Sequence, residues 1–250
     1  SIKMPEINLL EAIGIPQSKE RKRAAGITDL DRRIAERLDF SFYDGDREKG
    51  YGGYYYDGRW QAFAQLAKEK YGLDKNSRVL IDRCHKGFLV YDLKKLIPGI
   101  EVFGIHPAPY AINHAMEGYG RWALINGTEE SGDPREIDEK AKNLVAPYLI
   151  QGFTNDLPFK DGFFDSVISI ENICVYPDNE CRKSLKELMR VTNNNGRKSY
   201  IQNDSWRNEH EEKKLKAWTF LCKTFLGVEE WEKMFKDEGY NGDWGYTIIR

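Results

Sequence analysis

The chain has 250 residues, a formal net charge of −2 and 40% hydrophobic residues. Its length supports a buried core without cross-links, its balanced charge argues against a dedicated nucleic-acid binder, and it lacks the run of about 18 apolar residues that a membrane-spanning helix needs. Four cysteines (84, 174, 181 and 222) without CxxC spacing argue against a metal knuckle or a disulfide framework, and residues 1–5 show no charged-then-apolar leader pattern. The expectation is a reduced, cytoplasmic protein with no metal, no nucleic acid and no membrane among its partners. One detail of the composition is uneven: three of the four histidines, His85, His106 and His114, fall within 30 residues.

In chain order, residues 1–36 are charged and helix-prone, with Leu9, Leu10 and Ile13 as one apolar stripe and residues 29–38 as another. Residues 41–60 hold five glycines and six Phe or Tyr residues ahead of Trp60. Glycine interrupts regular structure and aromatics supply amphipathic surface, so this stretch is expected to be a loop whose aromatics either pack on the domain or form a substrate-facing lid. Residues 1–58 are therefore assigned to an N-terminal helical cap and a glycine/aromatic lid. From residue 59 onward helices and strands alternate: helix 59–71, strand 78–81, helix 87–97, strand 101–105, helix 110–118, strand 148–151, strand 164–170, helix 179–191, strand 199–202, helices 208–225 and 228–238, and strand 244–249. Residues 119–146 break the rhythm with a turn-rich polar stretch and read as a surface insertion. Such alternation gives an α/β fold with a doubly wound, mostly parallel sheet and right-handed crossovers, here over 59–250.

Val79-Leu-Ile-Asp-Arg-Cys-His-Lys-Gly-Phe resembles the first motif of class I S-adenosylmethionine (SAM)-dependent methyltransferases, in which a strand ends on an acid and runs into three alternate glycines. Val102-Phe-Gly-Ile-His is similar to that family's second strand. Leu157-Pro-Phe with Asp161-Gly-Phe-Phe-Asp-Ser-Val-Ile-Ser, Leu185 to Val191 with Asn195-Gly196, and Glu229-Glu-Trp to Gly239-Tyr240 resemble its later motifs. The stretch 42–60 is similar to a bacterial subgroup acting on small molecules. The resemblance implies a Rossmann-like methyltransferase fold. It also implies a SAM site at Ile81, Arg83, His85, Gly87, His106, Phe153 and Asn155, and a substrate side at Tyr43, Asp46, Arg47, Tyr51, Arg59, Trp60 and Arg207. Asp204-Ser-Trp-Arg-Asn-Glu matches the subgroup pattern too.

The departures from the family fall in the cofactor site. The acid at the end of strand one is Ile81, the first two glycines are Arg83 and His85, and the ribose-binding acid at the end of strand two is His106. A carboxylate accepting ribose hydroxyls is worth about 1.5–3 kcal/mol, and three such losses together approach about 5 kcal/mol, a thousandfold in affinity. Asp82 does not replace Ile81, because adjacent strand residues point to opposite faces. The leading expectation is therefore a methyltransferase-like protein with a dismantled SAM site, either a pseudoenzyme partnered with a paralogous methyltransferase subunit or a protein with a repurposed pocket. Arg83, Lys86 and a helix N-terminus favour an anionic small-molecule ligand there. His85, His106 and Glu171 are the candidates for acid–base work. The alternative is an active SAM-dependent methyltransferase acting on a small molecule such as a sugar or a secondary metabolite.

Overall fold

The apolar runs between the helical stretches form six strands, and Ser18–Lys19, in the segment expected to be helical, adds a seventh at the edge of one sheet among the described residues, which in this computed structural model are 6–12, 18–19 and 26–250. Ile13, expected to extend the stripe of Leu9 and Leu10, lies outside them. The strands are β1 (Ser18–Lys19), β2 (Arg78–Asp82), β3 (Glu101–His106), β4 (Leu149–Gln151), β5 (Ser166–Ile170), β6 (Tyr200–Ser205) and β7 (Asp243–Ile249). They lie in the order β1-β7-β6-β5-β2-β3-β4, and every pairing is parallel. The chain runs outward through β2, β3 and β4, then returns to the other side of β2 at β5. That reversal makes the β2/β5 junction the switch point, where open α/β sheets place their ligands at the carboxyl ends of the strands.

Eleven helices are described: α1 (Leu9–Ala12), α2 (Asp29–Ala35), α3 (Phe40–Tyr43), α4 (Trp60–Tyr71), α5 (Phe88–Leu96), α6 (Pro109–Asn113), α7 (Tyr119–Ile125), α8 (Pro134–Val145), α9 (Asp178–Arg190), α10 (Glu209–Trp218) and α11 (Val228–Glu238). Strand alternation sorts the core into two layers. Val79 and Ile81 of β2 pack with α4, α5, α7 and α8, while Leu80 packs with α9 and α11 on the other face. Both faces are covered, which is why the strands read as continuous apolar runs.

Residues 119–146 are not a surface insertion. Tyr119, Ala123, Ile137, Ala141 and Val145 are buried in the same cluster as Val79 and Val102, and α8 forms the crossover between β3 and β4. The N-terminal segment joins this layer as well, through Leu9 and Leu10. The helix expected over 110–118 stops at Asn113, because Met116 (φ 60°) and Gly118 (φ 87°) turn left-handed. The helix expected over 208–225 stops at Trp218, and residues 219–227 run irregularly into α11. Within the expected loop 41–60, Asp39 caps the one-turn α3 by accepting from the Ser41 amide at 3.0 Å.

Candidate functional site

The loop that leaves β2 keeps a backbone path that only glycine adopts without strain. Arg83 (φ 56°), His85 (φ 51°) and Gly87 (φ 79°) are all left-handed. For Arg83 and His85 this conformation costs roughly 1–2 kcal/mol each, so the surrounding contacts hold them there. Positions 83, 85 and 87 share this left-handed backbone although only Gly87 is a glycine.

Those contacts centre on Tyr43, which is fully buried under the lid. Its hydroxyl lies 2.9 Å from His85 Nδ1 and 2.9 Å from His106 Nε2. The Ala108 amide donates to His106 Nδ1 at 3.0 Å. A backbone N–H only donates, so His106 Nδ1 is an acceptor and the neutral ring carries its proton on Nε2. His106 Nε2–H therefore donates to Tyr43, the Tyr43 hydroxyl donates to His85 Nδ1, and His85 is left as an Nε2–H donor. Burial holds both imidazoles well below their usual pKa, with the Arg83 charge acting in the same direction. Burial likewise holds the Tyr43 hydroxyl well above its own usual pKa. All three groups are neutral near pH 7. Tyr51 stacks on Tyr43 at 5.7 Å, Tyr54 stacks on Phe88 at 5.2 Å, and the two imidazole rings lie 4.9 Å apart.

Arg83 adds the charge. It is 7% exposed and makes no hydrogen bond or ion pair with any of the described residues. Its charge acts on Tyr43, Tyr54, His85 and His106, and also on Asp82 and Tyr176. Buried charge is normally paired.

Two neighbours of Arg83 are committed elsewhere. Asp82 turns to the α9 face, where its carboxylate accepts from Thr154 at 2.7 Å, Ser169 at 2.8 Å and Asn172 at 2.5 Å. Lys86 is not part of an anion site. It is fully buried, with Nζ 2.9 and 3.0 Å from the two Asp44 oxygens and 3.3 Å from Glu117. Asp44 also accepts from the Tyr110 hydroxyl at 2.5 Å and the Tyr54 amide at 2.9 Å, so this pair pins the lid to the loop after β2.

The remaining sequence candidates are spread over the carboxyl edge of the sheet and beyond it. Phe153 is 55% exposed, and Asn155 donates to Glu180 at 2.6 Å. Glu171 accepts from Thr247 at 2.5 Å and is not in the histidine cluster. Arg47 donates to the Gly50 carbonyl at 2.9 Å, and Arg59 pairs with Asp57 at 2.7 Å. Asp46 closes a local turn by accepting from the Glu48 amide, and Trp60 packs against Phe63. Arg207 pairs with Glu6. His114 stacks on Tyr110 with ring centroids 3.9 Å apart.

SAM needs an acid for its ribose, glycine space for its methionine tail and no extra cation beside its sulfonium. At these strand ends the first is Ile81 and a buried, fully bonded His106, the second is filled by His85 and the Tyr43 ring, and the third is contradicted by Arg83.

A doubly wound parallel sheet whose first long strand runs into a left-handed, glycine-type turn defines the Rossmann-like methyltransferase fold. Residues 84–199, a little under half of the chain, match the methyltransferase domain family. Solved structures similar to it include the MccD protein, at 21% identity over 70% of this chain and 68% of that one, with a TM-score of 0.49. The YcgJ protein from Bacillus subtilis is 18% identical over 70% and 66%, with a TM-score of 0.47. A geranyl diphosphate methyltransferase in complex with GPP and sinefungin is 17% identical over 71% and 57%, with a TM-score of 0.49. A comparison with curated proteins finds no match.

Two features of the site escape the sequence. The Lys86–Asp44 pair joins positions 42 residues apart. The hydrogen-bond direction through Tyr43 depends on one backbone amide, at Ala108, that no side-chain pattern announces.

Proposed function

We propose that this methyltransferase-fold protein has exchanged SAM for a small anionic ligand, held at the carboxyl ends of β2 and β3 by Arg83 and His85. The supporting observation is Arg83, 7% exposed as a whole residue and with no hydrogen bond or ion pair among the described residues, beside an imidazole whose remaining N–H is a donor. Two donors and no acceptor call for a carboxylate or a phosphate. The loop precedes α5, whose first amides add to the same preference. The chain then acts as a binding or repurposed subunit, and a paralogous methyltransferase is the protein partner such a subunit would regulate. Active SAM-dependent transfer to a small molecule is the second reading, favoured by the family match over 84–199 and by the retained left-handed turns at 83, 85 and 87.

Thermal unfolding with added ligand separates the two, because a ligand that binds only the folded state stabilises it by about 2.7 kcal/mol at 100 times its Kd. Inorganic phosphate and malonate are expected to raise the midpoint, SAM and S-adenosylhomocysteine are expected to leave it unchanged at millimolar concentration, and Arg83→Met is expected to abolish the anion effect. A clear shift with SAM would overturn the proposal in favour of the second reading. A second prediction concerns Tyr43→Phe. Without the hydroxyl, His85 loses its tautomer lock, and anion affinity is expected to fall by about tenfold, the size of one lost hydrogen bond, as read by calorimetry. An unchanged affinity would mean that His85 is not a ligand.

A further inference from the structure

The sequence shows no metal-binding spacing, yet folding brings together two thiols and a carboxylate from three separate segments. Cys174 lies in the turn after β5, Asp204 near the carboxyl end of β6, and Cys222 in the irregular run between α10 and α11. Their ligand atoms all lie within 4.8 Å of one another, and all three residues are buried. Cys174 and Cys222 are fixed relative to each other by the backbone: the Lys223 and Thr224 amides both donate to the Cys174 carbonyl at 2.9 Å. The Cys174 amide donates to Asn203 beside Asp204 at 3.2 Å, so all three segments are registered by hydrogen bonds independent of the thiols.

We propose that Cys174, Cys222 and Asp204 form a binding site for a thiophilic divalent cation of the zinc class. The donor set carries the choice of ion. Two sulfurs and one oxygen suit zinc or cadmium, whereas magnesium and calcium take oxygen shells. Zinc–sulfur bonds of about 2.3 Å and zinc–oxygen bonds of about 2.0–2.2 Å require the widest pair to close by about 1 Å, which rotation of the cysteine side chains supplies. Binding releases the two thiol protons to solvent and leaves the divalent ion on two thiolates and one carboxylate. The thiols resist this step in the empty protein, since the neighbouring Cys174 thiol, together with burial, holds the Cys222 thiol well above its ordinary pKa. Cys222 is 8% exposed and lies on an irregular segment, which gives the ion a way in. A bound ion would tie residues 219–227 to the carboxyl ends of β5 and β6. None of this depends on what occupies the Arg83 pocket.

The test uses the full chain, treated with chelator and a phosphine reductant and then titrated with cadmium and with zinc. One equivalent of cadmium is expected to produce the thiolate-to-metal charge-transfer band with an amplitude for two thiolates, and zinc is expected to raise the thermal midpoint. Cys222→Ser and Asp204→Asn should each weaken zinc affinity by at least about tenfold, while Cys84→Ser, a buried cysteine outside the cluster, should leave it unchanged. Asp204→Asn carries the comparison if Cys222→Ser fails to fold. Absence of the band, or a band that persists undiminished in Cys222→Ser, would overturn the proposal.

Discussion

Replacing Lys86 by methionine is expected to cost about 3–5 kcal/mol of folding stability, the usual result of stranding one partner of a buried ion pair. Lys86 is 0% exposed, and the Asp44 side chain is 2% exposed. Burial alone would raise the Asp44 pKa, but the hydrogen bonds from Lys86 and Tyr110 outweigh it and hold the carboxyl below its ordinary value. Methionine fills most of the lysine volume, so the loss is electrostatic. It leaves Asp44 either charged in a dry site or protonated. Two aromatic contacts go with it, since Lys86 Nζ lies 5.1 Å from the Tyr55 ring centroid and 5.9 Å from that of Tyr110. The pairing is tested by a double-mutant cycle in urea unfolding. Lys86→Met with Asp44→Asn should lose at least about 2 kcal/mol less than the sum of the single variants, because neighbours in one network are not additive. Simple additivity would mean that the pair does not hold the lid. Hydrogen exchange should also rise at the Tyr54 amide, which Asp44 accepts.

That pair shows where sequence reasoning reaches and where it stops. The strands were legible because Val79–Ile81, Val102–Ile105 and Val167–Ile170 are short apolar runs between helical periods, and parallel strands covered on both faces must read that way. The altered strand ends were legible as well, because Arg83, His85 and His106 stand at fixed offsets from those strands. What Lys86 does was not legible. Its neighbour in sequence is a site residue, its partner lies in the lid, and only folding shows that it faces Asp44. The misreading of 119–146 has a different cause. Ile137, Ala141 and Val145 recur every four residues, a sound helical stripe, but the surrounding charge of α8 masks it. For α10, no glycine or proline marks the stop at Trp218, so the pattern reads on into the irregular run. The cysteine cluster combines positions 174, 204 and 222, and nothing in linear spacing connects them.

Asp92 gives a large expected pH effect. It lies on α5 and is 5% exposed. One carboxyl oxygen accepts from the Tyr56 hydroxyl at 2.5 Å, while the other is buried without a hydrogen-bond partner. Burial pushes its pKa up to about 7, against the opposing pull of the Tyr56 hydrogen bond. The sign follows from linkage. A pKa raised in the folded state means that the folded protein binds the proton more tightly, so the stability due to this group is full below about pH 4 and is lost as pH rises through about 7. A gap of about three units corresponds to about 4 kcal/mol. Asp92→Asn removes the titration. It also leaves a buried amide N–H₂ in place of the unpaired oxygen, at a cost of about 1–3 kcal/mol that does not vary with pH. In urea unfolding between pH 4 and pH 8, the wild-type chain should therefore lose stability relative to the variant as pH rises. The variant is expected to be the less stable of the two at pH 4 and the more stable at pH 8. All other titrating groups are common to both proteins and cancel in the difference. Parallel stability curves across this range would show that the Asp92 pKa is not raised in the folded protein.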